Sequence, residues 1–259
     1  MAELNGAPVG PDELKALALI NYGHFTSMRM ENHRIRGFSH HIERLVRDCQ
    51  VLFRSELDRD QVRAYVRQAT ADEEGSFVVR VTVFDPDLEL GRPGAPAGPK
   101  ILVTTRPAGT WPMAPLRVQT AQYMRDLPEV KHVGLFGALW HRRSAQLDGF
   151  DDCVFVDAEA YLSEGATWNI GFYDGEQVIW PNAEVLPGVT MRLLQQVHDA
   201  SALGPVNIAD LPRMEAAFAT NTAIGVRAIT AINEVEFPGE HPVLKTLRKE
   251  YEEIPAEAV

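Results

Sequence analysis

Lysine is scarce in this sequence: five residues, at positions 15, 100, 131, 245 and 249, stand against twenty arginines. Contacts to phosphate or carboxylate groups are therefore expected mainly from guanidinium groups. Cysteine is scarcer still. Cys49 and Cys153 lie in unrelated contexts without any Cys-x-x-Cys spacing, which argues against a disulfide framework or a zinc site and predicts two buried thiols in a reducing compartment. No apolar run approaches the length of a bilayer crossing, so no membrane partner is expected. Met1-Ala-Glu-Leu-Asn-Gly has no basic region leading into an apolar core, so the chain is expected to be cytoplasmic. Positive charge is in deficit as well: a formal net charge of −11 argues against a nucleic-acid backbone as the main partner. What is present is ordinary for a soluble globular protein, 45% hydrophobic and 24% charged over 259 residues. That length suffices for two modest domains or one large one with a sizeable core.

Periodicity predicts alternating strands and helices, hence a mixed α/β chain. Residues 12–20 read as a short helix or the lead into a strand, and 21–34 as strand and turn, with Phe25, Ser27 and Arg29 on one face and Thr26 and Met28 on the other. Ser39 is a plausible N-cap for a helix whose apolar stripe is Ile42, Leu45, Val46, Cys49, Leu52 and Phe53. A second helix follows over 60–70, with strands over 77–84 and 101–105 separated by a Pro/Gly-rich loop over 85–99. The segment 106–115, with three prolines and a glycine, is the best domain boundary. It predicts a small N-terminal α/β domain over 1–108, a linker over 109–116 and a larger domain over 117–259. Beyond the linker the pattern predicts a strand over 116–121, a helix over 136–147, strands near 153–157, 168–173 and 177–180, a helix over 191–200 and a last helix over 243–252.

Four segments carry chemistry. Lys131, in Leu127-Pro-Glu-Val-Lys-His, is flanked by valines and followed by glycines at 134 and 137. An apolar setting of this kind favours the neutral, reactive amine. Leu162-Ser-Glu-Gly-Ala-Thr places the carboxylate of Glu164 in a turn. Leu186-Pro-Gly-Val-Thr-Met-Arg runs straight into a helix start, where free amides and the helix dipole favour an anion. Thr220-Asn-Thr adds further hydroxyls. Other candidates weigh less. His40 and His41 are adjacent on a helix, point in different directions and have no third ligand at suitable spacing, so no metal is expected. Asp151-Asp152 reads as a solvated turn, and His141-Arg142-Arg143 as an exposed helix face. Arg106, at the domain boundary, is a candidate for holding a substrate carboxylate.

In that order the four segments resemble the fold-type IV family of pyridoxal-phosphate enzymes, which includes branched-chain and D-amino-acid aminotransferases and aminodeoxychorismate lyases. The resemblance covers about residues 21–230. It implies pyridoxal 5′-phosphate as cofactor, held through an internal aldimine on Lys131, which also moves protons during turnover. It implies that Glu164 pairs with the ring nitrogen, and that Arg44, the Val189 and Thr190 amides, the Thr190 hydroxyl and Thr222 hold the phosphate. Asn221 stands beside Thr222 in place of a glycine common in aminotransferases. Trp168 replaces a small or polar residue and either walls the cofactor or substrate pocket or packs in the core. The implied fold has a small N-terminal α/β domain and a larger domain built on a β-barrel-like sheet, in a homodimer.

The reaction is open between two classes on these residues. One is a transaminase acting on an amino or keto acid in two half-reactions. The other is a lyase of the aminodeoxychorismate type, releasing pyruvate by β-elimination. Thr26, on the strand expected to face the cofactor and taken with Lys131 as catalytic, occupies a position where most aminotransferases have a glutamate and the lyases a threonine, and Lys131-His132 is shared with the lyases. The lyase pattern continues with Asn-Arg, which this chain lacks, and the branched-chain enzymes' tyrosine five residues after the lysine is Phe136 here.

Overall fold

The computed structural model describes all residues, Met1–Val259. The chain forms two compact units: Met1–Gly109 with Val130–Gly134 and Pro255–Val259, and Thr110–Glu129 with Leu135–Ile254.

The first unit contains β1 (Ala2–Leu4), β2 (Ala7–Pro8), α1 (Pro11–Ile20), β3 (His24–Glu31), β4 (Arg34–Arg36), α2 (Phe38–Phe53), α3 (Arg59–Ala69), β5 (Ser76–Phe84) and β6 (Lys100–Pro107). Its seven-stranded sheet runs from the carboxy-terminal strand Ala256–Ala258 through β4, β3, β5, β6 and β1 to β2, with every pair antiparallel. The β-branched run of β5 pairs along its whole length with β3 on one side and β6 on the other. Met28, Met30, Val79, Val81 and Val103 pack in one core with Phe38, Ile42, Leu45 and Cys49 of α2 and Val62 and Val66 of α3. The α2 stripe is the one the 3.6-residue period predicts. Its cap is not: the helix starts at Phe38, behind Gly37 at φ 67. The turn from β4 requires a left-handed residue, which glycine adopts without strain. The Ser39 amide and hydroxyl instead donate to Glu257 on the carboxy-terminal strand.

The second unit contains β7 (Leu116–Gln122), α4 (Phe136–Leu147), β8 (Asp152–Val156), β9 (Leu162–Gly165), β10 (Asn169–Tyr173), β11 (Val178–Pro181), α5 (Val189–Val197), β12 (Ser201–Gly204), a 3-10 turn (Ile208–Arg213), β13 (Ala216–Asn221), β14 (Gly225–Ile232), β15 (Val235–Glu236) and α6 (Pro242–Glu253). Strands β10, β13, β14, β7, β8 and β9 pair in sequence, and β9 pairs back to β10, so six strands close into a barrel. Alternate residues of one face, among them Leu116, Val118, Val154, Val156, Ile170, Phe172, Ala217 and Ala219, form one core. The opposite face of β13 and β14 contributes Phe218, Val226 and Ala228 to a second core with α5 and α6, while Cys153 and Phe155 of β8 pack against Ala138 and Ala145 of α4.

A mixed α/β chain with a barrel is the fold the resemblance implied. Two local expectations fail in part at α4 and β8: Asp151 and Arg143 are exposed as expected, but Asp152 and Arg142 are not. Asp152 is buried, accepting from the Arg142 guanidinium at 2.8 Å and from the Trp168 indole at 2.8 Å. Arg142 therefore turns inward from α4, and the His141 ring lies 4.9 Å from Tyr123. A carboxylate drawn under the sheet needs partners, and these residues supply them. Both cysteines are free and buried, and burial pushes their thiols up, to about 11 for Cys49 and about 12 for Cys153. No helix is long and apolar enough to cross a membrane.

Candidate functional site

The candidate residues fall into two groups, each built within one unit. Lys131, Thr26 and Arg44 belong to the first unit, whereas Glu164, Trp168, Val189, Thr190, Asn221 and Thr222 belong to the second.

In the first unit, the Val130–Gly134 segment lies along the start of β3. The Phe25 amide donates to the Lys131 carbonyl and the Val133 amide to the Gly23 carbonyl, each at 2.9 Å. The Lys131 amide donates to Asp48 Oδ2 at 3.0 Å. Asp48 is wholly buried on α2, and its other oxygen accepts two bonds from the Arg47 guanidinium. Lys131 is thus half-buried on a backbone fixed from two sides, with its ammonium nitrogen 4.9 Å from the Phe25 ring centroid. Next to it, Thr26 and Arg44 are buried and bonded to each other, Arg44 Nη2 donating to Thr26 Oγ1 at 2.5 Å, with His41 against both. His24, at the head of β3, is fully buried with neither ring nitrogen hydrogen-bonded. Burial, with Arg44 and Arg47 nearby, pushes it down to about 3. Arg106 is exposed on β6, with its guanidinium toward the Pro107 carbonyl.

In the second unit, Glu164, Asn169, Thr220 and Val226 are successive cross-strand partners on β9, β10, β13 and β14. Residues directly opposed across strands share a face, so these four form one row. The Leu186 turn is pinned to that row: its amide donates to Glu164 Oε2 at 3.3 Å, and its carbonyl accepts from Asn169 Nδ2 at 2.8 Å. Two residues on, Gly188 lies so close that a Cβ there would stand 2.0 Å from Asn169 Oδ1. The start of α5 is thereby fixed beside Glu164. No side chain caps α5, so the amides of its first turn, Val189 and Thr190, have no partner within the helix. Glu164 Oε1 accepts from Arg125 Nε at 2.8 Å, and both side chains are buried. Thr220 Oγ1 is buried without a hydrogen-bond partner. Asn221 closes the following turn by accepting from the Ala223 and Ile224 amides and reaches Thr167 through its own amide; Thr222 is buried within that turn. Trp168 is in the barrel core, its indole bonded to Asp152 and lying over Gly165.

These residues fit a phosphate-bearing ring compound. A glycine-lined helix start favours an anion, an unpartnered hydroxyl lies in the adjoining row, and a buried carboxylate held from two sides suits a cationic ring nitrogen. Sequence reasoning passed over Asp48, Arg125, Asn169 and the place of His41. One signal was present: Asp48 interrupts the apolar stripe of α2 with a carboxylate. No group of three or more His, Cys, Asp or Glu residues is placed to hold a metal ion.

The chain matches the model of the amino-transferase class IV family over residues 23–232. It is 28% identical over 125 residues to a probable branched-chain-amino-acid aminotransferase of Rickettsia felis. That match spans 44% of this chain and 42% of the relative, under half of each. The fold is similar to that of a branched-chain aminotransferase from the archaeon Thermoproteus uzoniensis with norvaline, with a TM-score of 0.85 at 16% identity, covering 97% of this chain and 93% of that one. It is similar also to a putative 4-amino-4-deoxychorismate lyase from Legionella pneumophila, with a TM-score of 0.81 at 21% identity and 96% coverage of both chains.

Proposed function

Because the chain belongs to the class IV amino-transferase family, we propose that it is a pyridoxal-phosphate-dependent transaminase moving an amino group between an amino acid and a keto acid. Pyridoxal phosphate, when bound, supplies an aldehyde and a protonated ring able to accept the electron pair released at the substrate carbon. Lys131 is the residue whose amine attaches the cofactor and afterwards carries a proton at Nζ between substrate and cofactor carbons. Asp48 and β3 fix the backbone from which that side chain extends. Glu164, oriented by Arg125 and the Leu186 amide, holds the proton on the ring nitrogen. The Val189 and Thr190 amides, the Thr190 and Thr222 hydroxyls and the Arg44 guanidinium take the phosphate. Asn221 shapes the Thr222 turn. Arg106 is the substrate-side assignment, for a carboxylate, while Trp168, buried in the barrel core with its indole bonded to Asp152, takes the core-packing alternative. The natural assembly in this reading is a homodimer.

The pinned Leu186–Gly188 turn carries the reading, because it sets an anion-binding helix start beside a buried carboxylate on one rigid row. A lyase reading, with release of pyruvate from aminodeoxychorismate, is favoured by Thr26 and by Lys131-His132. The end state of the cofactor separates the two. A transaminase given an amino donor alone converts its cofactor to the pyridoxamine form, and a keto acid restores it. Pyruvate release over many turnovers with no net change in the absorption spectrum would overturn transamination and establish the lyase.

A further inference from the structure

His41 is fully buried on α2, one turn before Arg44, and nothing in the proposed reaction employs it. Its Nδ1 lies 2.7 Å from Thr26 Oγ1 and 3.3 Å from Arg44 Nη2, and Arg44 Nη2 lies 2.5 Å from the same hydroxyl oxygen. A guanidinium nitrogen donates and never accepts. An Nδ1 facing that donor is therefore bare, and Thr26 Oγ1 accepts from Arg44. The hydroxyl has a single proton, and the bare Nδ1 is the acceptor in line for it. A neutral imidazole with a bare Nδ1 carries its hydrogen on Nε2. Burial, then Arg44, Lys131 and His40, keep the ring neutral by holding it well below the usual histidine range.

We propose that His41 is a positioning residue: by accepting a hydrogen bond from the Thr26 hydroxyl at Nδ1, it turns the Thr26 oxygen toward Arg44 and fixes the guanidinium for the anionic end of the cofactor. This rests on the phosphate role given to Arg44 above. It also bears on reaction class. A hydroxyl whose one proton is held by His41 does not hand that proton to a leaving group, so Thr26 orients Arg44 in this chain and is not a proton donor.

Nitrogen-15 NMR of the His41 ring in the wild-type, cofactor-loaded protein tests the hydrogen-bond assignment without any substitution. Hydrogen on Nε2 with a bare Nδ1 is expected, and hydrogen on Nδ1 overturns the proposal. Cofactor titrations followed by absorbance test its consequence. In His41→Asn the side-chain oxygen can take the place of Nδ1, and in His41→Leu no acceptor remains. The pyridoxal-phosphate dissociation constant should rise about tenfold in His41→Leu, the equivalent of one hydrogen bond, and stay within about twofold in His41→Asn. Equal losses in both, or none in either, overturn it. If His41→Leu does not fold, Thr26→Val is expected to show the same rise and Thr26→Ser to restore affinity; an unchanged constant in Thr26→Val overturns the proposal. Arg44→Ala separates the two levels. An unchanged constant there removes Arg44 from the phosphate and the proposal with it, whereas a weakened one beside an Nδ1-protonated His41 overturns the proposal alone.

Discussion

Glu164 is a buried carboxylate held by Arg125 and by the Leu186 amide, so its replacement acts on two separate measurements. Glu164→Gln leaves Arg125 facing a neutral amide. Losing one partner of a buried ion pair costs about 3–5 kcal/mol, which urea unfolding of the cofactor-free protein will register. In the loaded protein the amide cannot keep the ring proton, and substrate proton abstraction, followed by stopped-flow absorbance, should slow by about 10²-fold or more. Lys131→Ala should fold, bind no cofactor covalently and lose turnover. Borohydride reduction followed by peptide mass mapping checks this, and a reduced adduct on another lysine would move the assignment. The two buried histidines predict a pH dependence of stability. Both are held below 6.5 in the folded state, His24 at about 3, so the unfolded chain binds more protons as pH falls below 6.5. Stability is thus fully present above about pH 6.5 and falls on acidification toward about pH 3, by about 1.4 kcal/mol per pH unit for each histidine at full slope. His24→Phe should remove one such share, as read from unfolding midpoints at pH 7 and pH 5. At this scale, what was legible was local. Lys131, Glu164 and Thr190 stand out through neighbours in sequence. Asp48 reaches Lys131 across 83 positions, and Arg125 reaches Glu164 across 39, separations at which no spacing rule operates.

At the scale of elements, the start of α5 is closely constrained by its neighbours. Gly188 has φ −65, a conformation open to any residue, so an alanine there meets no backbone strain. Its Cβ would nevertheless collide with Asn169 Oδ1, and that side chain also holds the Leu186 carbonyl. Gly188→Ala should therefore cost about 1–3 kcal/mol of stability and weaken cofactor binding, whereas Asn169→Ala combined with it should recover part of the stability by removing the obstacle. Thermal melts of the single and double variants, with and without cofactor, check this. Long periodic elements were readable: α2, α3 and α6 follow their apolar stripes and β5 its β-branched run, whereas α4 buries only Ala138 and Ala145 and leaves Phe136, Leu139, Trp140 and Leu147 exposed. The barrel's closure was not. β9 has only four residues, and β13, Ala-Ala-Phe-Ala-Thr-Asn, lacks the β-branched composition that marks a strand. Both owe their state to pairing with strands elsewhere in the chain. The cap of α2 departs from expectation for a related reason, since Ser39 bonds a carboxylate 218 positions away.

For the molecule as a whole, a ligand seated on the Glu164 row should bind the folded state alone. Its presence at about a hundred times the dissociation constant should then raise the unfolding free energy by about 2.7 kcal/mol. The second unit should gain this directly, and amide hydrogen exchange resolved by peptide will show whether β9, β10 and the start of α5 slow together on adding pyridoxal phosphate. An increase confined to other segments would place the ligand elsewhere. The ring of six strands has a thin seam where it returns on itself: between β9 and β10 the ladder holds one residue pair, Asn169 with Glu164. Parting there turns a tube into an open sheet with two free margins, and free margins pair with those of other molecules. Glu164, proposed to hold the cofactor ring, is thus also one half of the barrel's clasp, and protein made without its cofactor would meet that hazard first, as clumping in the cell before any loss of catalysis could be measured.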